Sequence, residues 1–163
     1  VVGKPQREEI QAKQQRIFDF EEQDIKNLKI EVHGKTLEFE RTQDVNQPWQ
    51  MKQPENVPAS NAAVSFLVNL LNIGKSDRTF KISSEQRQDY GLDQPLARVE
   101  IQLKNQEKHE LILGKPDFEN RFIYAQVAPQ NQPARELSII LVPRDFQYAV
   151  ERELKEWKST SQF

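Results

Sequence analysis

Apolar positions are densest between Ser60 and Gly74. At about 100° per residue, Ala63, Phe66, Leu67, Leu70 and Ile73 fall on one face of a helix, and Val64, Val68 and Leu71 widen it. Asn61, Ser65, Asn69 and Asn72 make an uncharged polar stripe. A helix apolar around most of its circumference is expected inside a domain. Ser60 suits the N-cap, and Gly74 stands where a left-handed stop would fall. Residues 60–73 would span roughly 21 Å against a hydrocarbon core of about 30 Å, and three asparagines interrupt the stretch, so a membrane span is rejected.

Elsewhere the pattern has period two. Asp19 and Glu22 have capping-box spacing for a turn through Ile25. Leu28, Ile30 and Val32 then alternate with Lys29, Glu31 and His33. A two-residue turn at Gly34-Lys35 would set Val32 against Leu37 and Ile30 against Phe39. Pro48 to Met51 reads as a short extended piece and Thr79 to Ile82 as a short strand. Ser83 and Gln86 form a capping box for a short helix ending at Tyr90, with Gly91 as its stop. Val99, Ile101 and Leu103 open a second hairpin. A turn at Asn105-Gln106-Glu107 would set Ile101 against Leu111 and Val99 against Leu113. Phe122 to Val127 and Leu137 to Val142 are further strands, the latter apolar enough to lie centrally in a sheet. Asp145 to Trp157 is an amphipathic helix with Phe146, Ala149, Val150, Leu154 and Trp157 inward. The two hairpins resemble each other, which an ancient duplication and the common form of antiparallel hairpins would both produce.

The resulting expectation is an α+β domain over residues 17–157. It has a mostly antiparallel sheet of two hairpins plus additional strands, covered by the 60–73 and 145–157 helices. Residues 1–16 form a polar lead-in, disordered or tethering the domain to something upstream, and residues 158–163 a tail. The 163 residues suit one domain, and 36% hydrophobic content with 29% charged residues implies that part of the chain lies outside the core. Net charge is −2 with both signs mixed, so there is no basic stripe for nucleic acid. The absence of cysteine excludes disulfides, thiolate metal sites and a cysteine nucleophile.

Candidate chemistry is sparse. His33 and His109 each stand beside a predicted turn, far apart, and read as surface histidines. No nucleophile elbow, zinc-binding helix signature, P-loop or dinucleotide fingerprint occurs, and five glycines are too scattered to cradle phosphate. Pairs such as Glu38 and Glu40 read as the solvated side of a hairpin. No catalytic residue, metal site or cofactor is expected. Trp49, beside Pro48, reads as a lid on the core, with a ligand-contacting aromatic as the alternative.

Trp49 and Pro54, the helix after Ala59, Tyr90-Gly91-Leu92-Asp93-Gln94-Pro95, Leu113-Gly114-Lys115 and Tyr124-Ala125 come in a recognisable order. Over roughly Phe18 to Trp157 the chain resembles the bacterial family called domain of unknown function 4340. The resemblance implies an envelope protein with one N-terminal membrane helix, absent from this chain, and its domain on the extracytoplasmic side. Some members are encoded beside transport or gliding-motility components, and the family has no catalytic residues to carry over. The leading expectation is therefore a non-enzymatic interaction or assembly module whose partner is another envelope or membrane protein. The alternative is a binding domain for an envelope glycan or peptide. Trp49, Tyr90 and Asp93 are the candidate contacts. The Tyr90–Pro95 string also has a structural reading, in which each residue shapes the turn into the next strand.

Overall fold

A computed structural model describes residues 17–76, 78–128 and 136–159. The alternating stretches form the strands β1 (Ile25–Val32), β2 (Lys35–Arg41), β3 (Trp49–Gln53), β4 (Val57–Pro58), β5 (Thr79–Ser83), β6 (Ala97–Leu103), β7 (Lys108–Pro116), β8 (Phe122–Ala128) and β9 (Glu136–Pro143). They join one sheet in the order β4-β3-β2-β1-β6-β7-β8-β9-β5, with every neighbouring pair antiparallel. The helices are α1 (Asn61–Ile73), α2 (Asp145–Val150) and α3 (Leu154–Trp157), with 3-10 turns at Glu22–Asp24 and Ser84–Tyr90. The protein is thus a mostly antiparallel sheet carrying a few short helices, an α+β arrangement. Two meanders, β1 to β4 and β6 to β9, meet along β1 and β6. The expected lead-in, residues 1–16, and most of the tail lie outside the described residues.

One sheet face carries the main core. Leu28, Ile30, Phe39, Met51, Val99, Ile101 and Leu111 pack there beneath Leu67, Leu71, Phe146 and Trp157. Full burial of a leucine or isoleucine contributes roughly 1.5–3 kcal/mol, so this layer dominates stability. The other face is polar over β1, β2 and β6. Loose ion pairs such as Lys52–Glu40 at 3.6 Å and Arg98–Glu110 at 3.7 Å lie on it. At the β7–β9 end a second, smaller cluster of Ile82, Leu92, Ile112 and Ile139 forms with Tyr90 and Tyr124.

The helix around which the sequence is organised differs in two respects from expectation. Ser60 caps α1 through its hydroxyl, which accepts from Ala63 N at 3.2 Å. The buried face, however, is Ala63, Val64, Leu67, Val68 and Leu71, while Phe66 is 39% exposed and Leu70 only half-buried. The sheet and α2 cover one side of α1, so the apolar excess is not all enclosed. Gly74 is not left-handed: φ is −61° and ψ 145°. Its small size serves packing instead, since a Cβ there would lie 2.3 Å from Leu70 O and 3.0 Å from the Phe146 ring.

Both hairpins are shifted by two residues from the expected register. His33 and Gly34 both have positive φ, 53° and 75°, so the first turn is His33-Gly34 and Val32 pairs with Lys35. Histidine tolerates the left-handed region better than most residues, and a two-residue hairpin turn favours positive φ at both positions. Ile30 therefore faces Leu37 and Leu28 faces Phe39, which leaves the apolar side unchanged. In the second hairpin Leu103 N donates to Glu107 O at 2.8 Å, and Gln106 takes the positive φ of 75°. The turn is Lys104-Asn105-Gln106, so Ile101 faces His109 and Val99 faces Leu111.

Three further expectations are corrected. The first capping box is Glu21 with Asp24, not Asp19 with Glu22. The 145–157 helix is broken at residues 151–153, because Glu153 and Glu156 make a reciprocal capping box that starts α3 afresh. Strand β9 lies next to the edge strand β5 rather than centrally. It is apolar on both sides because Val142 faces the helices and Ile139 faces the Tyr90–Leu92 cover.

Candidate binding site

Several elements converge at one end of the sheet: the β1–β2 turn, the start of β6, the β7–β8 turn and the β9–α2 junction. A polar track links them. Arg144 donates to Asn120 O at 3.3 Å and to Gln147 Oε1 at 2.8 Å. Gln147 Nε2 donates to Glu151 Oε1 at 2.9 Å, and Glu151 Oε2 lies 2.9 Å from His33 Nε2. The positive φ at His33 brings this imidazole over the end of α2.

The helix break after α2 then folds Arg152, Leu154 and Trp157 back under the β1–β2 turn. Trp157 is fully buried, 5.2 Å from the Phe39 ring. The Arg152 guanidinium carbon lies 5.8 Å from the Trp157 ring and 5.6 Å from that of Phe66. Position is held by the backbone: Ser60 N donates to Trp157 O at 2.8 Å and Ser159 N to Pro58 O at 3.0 Å. The Lys158 ammonium adds an ion pair to Glu55 at 2.8 Å.

A cavity of about 240 Å³ remains between these parts. Val32, Leu37, Pro54 and Leu154 supply apolar walls, and His33, Lys35, Thr36, Arg152 and Trp157 complete the lining. Trp157 Nε1 and Arg152 Nε are buried and without a hydrogen-bond partner. A wider groove of about 440 Å³ runs along the other side of the same turn, between Glu31, Thr36, Pro95 and Arg98. The lining of the smaller cavity thus combines the cations Lys35 and Arg152 with apolar surface.

The residues singled out in the sequence lie elsewhere. Trp49 is 3% exposed, with the Arg41 guanidinium 4.6 Å from its ring centroid. Arg41 also donates to Ile25 O at 2.8 Å, and burial lowers its pKa against the opposing pull of Glu22. Tyr90 is half-buried and meets the Tyr124 ring edge-on at 4.8 Å. Burial raises the Tyr124 pKa, with Asp117 and Tyr90 adding to it. Asp93 is exposed, and its carboxylate accepts from Gln94 N at 2.9 Å. Tyr90 and Asp93 share a loop, but Trp49 in β3 is five strand spacings from Tyr124 in β8, about 24 Å. The structure does not bring the three together.

The recognisable strings do meet one another. A Cβ on Gly114 would lie 2.2 Å from Tyr90 O and 3.2 Å from Leu92, so Tyr90-Gly91-Leu92 rests directly on Leu113-Gly114-Lys115. His109 is half-buried in β7, with Phe18 and Phe20 ring centroids 5.7 and 5.4 Å away, rather than exposed at a turn. Sequence reasoning read Trp157 as inward, His33 as a surface residue, Arg152 as part of a solvated helix face and Lys35 as a turn residue. The Glu153/Glu156 spacing was the available signal for the break that positions them.

Among the described residues no group of three or more His, Cys, Asp or Glu side chains could hold a metal ion. No helix among them is long and apolar enough to cross a membrane. The sequence pattern of one protein family, described as Domain of unknown function (DUF4340), matches residues 49–163. No curated protein and no solved structure matches the chain.

Proposed function

We propose that this chain, which belongs to the DUF4340 family, is a non-enzymatic interaction module of a membrane-anchored bacterial envelope protein. In this reading it works on the extracytoplasmic side and docks another envelope or membrane protein at the β1–β2 end of its sheet. The observation that carries the reading is the cavity under that turn, with apolar walls and the cations Arg152 and Lys35 in its lining. In the alternative of a glycan- or peptide-binding domain Trp49 is not the contact, because it is enclosed by its own domain.

The test is site-directed photo-crosslinking in the full-length, membrane-anchored protein. A photoreactive residue at exposed Lys35, beside the cavity, should capture a reproducible partner from the envelope. The same residue at exposed Lys104, in the β6–β7 turn at the opposite end, should not. Equal capture at both positions, or none at Lys35, would refute the reading.

A further inference from the structure

The cavity and the wider groove flank the β1–β2 turn and share Val32, His33, Lys35 and Thr36 in their linings. The cavity adds Arg152, and the groove adds Arg98 and Glu31. Lys35, Arg98 and Arg152 thus stand against a single lining carboxylate, and Glu31 already lies 3.8 Å from the Lys29 ammonium. Among the described residues neither Lys35 nor Arg152 is paired with a carboxylate, and Arg98 holds Glu110 loosely, at 3.7 Å. Glu55, Glu151 and Glu153, which flank lining residues in the chain, are engaged by the Lys158 ammonium, by His33 with Gln147, and by the Glu156 N–H. Apolar surface is reachable beside these cations: Pro54 is exposed and Leu154 half-buried at the cavity, and Leu96 is half-buried at the groove. Both recesses are open to solvent, so they select by charge and apolar contact rather than by enclosure. Neighbouring strands lie about 4.8 Å apart, so crossing the turn spans roughly 5–10 Å, or two to three residues of extended chain at about 3.3 Å each.

We propose that an extended, acidic segment of a partner polypeptide lies across the β1–β2 turn. One bulky apolar side chain of the segment rests in the cavity against Pro54 and Leu154, with Arg152 adding positive charge at that wall. Carboxylates farther along the segment meet Lys35 on the turn and Arg98 beyond it. The second recess on the far side of the turn favours a polypeptide over a compact ligand. This inference rests on the interaction-module reading and names the chemistry of the partner at the same site.

The experiment titrates the isotope-labelled chain with the peptide acetyl-Ser-Asp-Glu-Leu-Ala-Asp-Glu-Ser-amide and follows backbone amide resonances. Those of Thr36, Arg98 and Leu154 should shift together with one Kd, and that of Lys104, at the opposite end, should not move. Serine in place of the peptide's leucine should weaken binding about tenfold, the loss of part of a leucine burial. Asn and Gln in place of its Asp and Glu should also weaken binding about tenfold at low salt, a difference that shrinks in about 0.5 M salt. Lys35→Gln and Arg98→Gln should each weaken the acidic peptide about threefold, the scale of an exposed ion pair. The peptide changes leave the protein intact, so the outcome does not depend on a variant's folding. Equal binding by the neutral or the serine peptide would overturn the proposal, as would shifts at Leu154 with none at Arg98. Decanoate displacing the peptide at equal affinity would overturn the assignment to a polypeptide. If Lys35 crosslinks capture a partner while acidic and neutral peptides bind alike, the interaction reading stands and the acidic-segment proposal falls. If the peptides discriminate as expected while the crosslinks capture nothing, the acidic-segment site stands and docking of an envelope protein falls.

Discussion

Replacing Gly91 with alanine separates a packing role from a binding role for the Tyr90–Pro95 string. Gly91 ends the Ser84–Tyr90 turn with φ 74° and ψ 17°. A residue with a Cβ in that left-handed conformation costs roughly 1–2 kcal/mol. The added Cβ would also lie 2.7 Å from Lys115 N and 3.0 Å from Lys115 Cβ. A clash with backbone cannot be relieved by a rotamer change, so either β7 or the loop must move. If the loop lifts, Leu92, which is fully buried, loses part of a burial worth roughly 1.5–3 kcal/mol. The sum for a partial lift is about 2–4 kcal/mol. For a chain of 163 residues this lowers Tm by roughly 5–15 °C. Urea denaturation followed by far-ultraviolet circular dichroism measures it. Gly91→Asn is the internal control, since asparagine tolerates positive φ but still carries the clashing Cβ. It should fall between parent and alanine. A loss below about 1 kcal/mol for alanine, or full recovery with asparagine, would refute the steric account. Partner capture by Gly91→Ala should track its folded fraction. A well-folded Asp93→Ala or Tyr90→Ala variant that lost capture at unchanged stability would make the loop a contact surface.

Ser60→Ala removes the α1 cap and should cost about 1 kcal/mol in urea denaturation; no change would mean that another group caps Ala63 N. Trp157→Phe should leave the unfolding free energy within about 1.5 kcal/mol of the parent, because the lost ring area is offset by removal of an unpaired N–H. A loss above about 3 kcal/mol would indicate that the indole is paired. The raised Tyr124 pKa means that the folded state holds the phenol proton more tightly than the unfolded chain. Its contribution to stability is therefore complete below pH 10.0 and is lost as pH rises through the folded value. Denaturation at pH 9 to 11 (about one unit either side of the unfolded phenol) should show a fall that Tyr124→Phe makes shallower, and identical slopes would contradict the assignment.

The strands are legible in the sequence because each buries one face, and period-two alternation survives any register. Register is not, since it depends on which residues accept positive φ, and His33 and Gln106 took positions that the pattern assigned to their neighbours. The location of α1 is legible from Ser60 onward, but its buried face is not. Phe66 lies outward because the sheet and α2 cover the Val64, Val68 and Leu71 side. The break in the last helix was readable in Glu153 and Glu156, yet the amphipathic stripe through Trp157 overrode it. The cavity could not be read at all. It depends on Arg152 and Trp157 reaching the β1–β2 turn more than a hundred residues earlier in the chain, which local pattern does not encode. The family strings were conspicuous for a different reason: Tyr90, Leu92, Gly114 and Tyr124 form one close-packed contact.

The two margins of the sheet bear on crowding. One ends in β4, two residues long with Pro58 lacking an N–H, and its outer side is taken by Ser159 N and the Ala59–Lys158 bridge. The other is β5, where the antiparallel self-pairing that matches all five residues would set Lys81 opposite its own copy. Like charges directly opposite disfavour such pairing, and lysine on an edge discourages fibre growth. Neither margin is a template for adding strands. Copies packed side by side at high local density would remain separate molecules, and association would be confined to surfaces where side chains, not backbone, choose the neighbour.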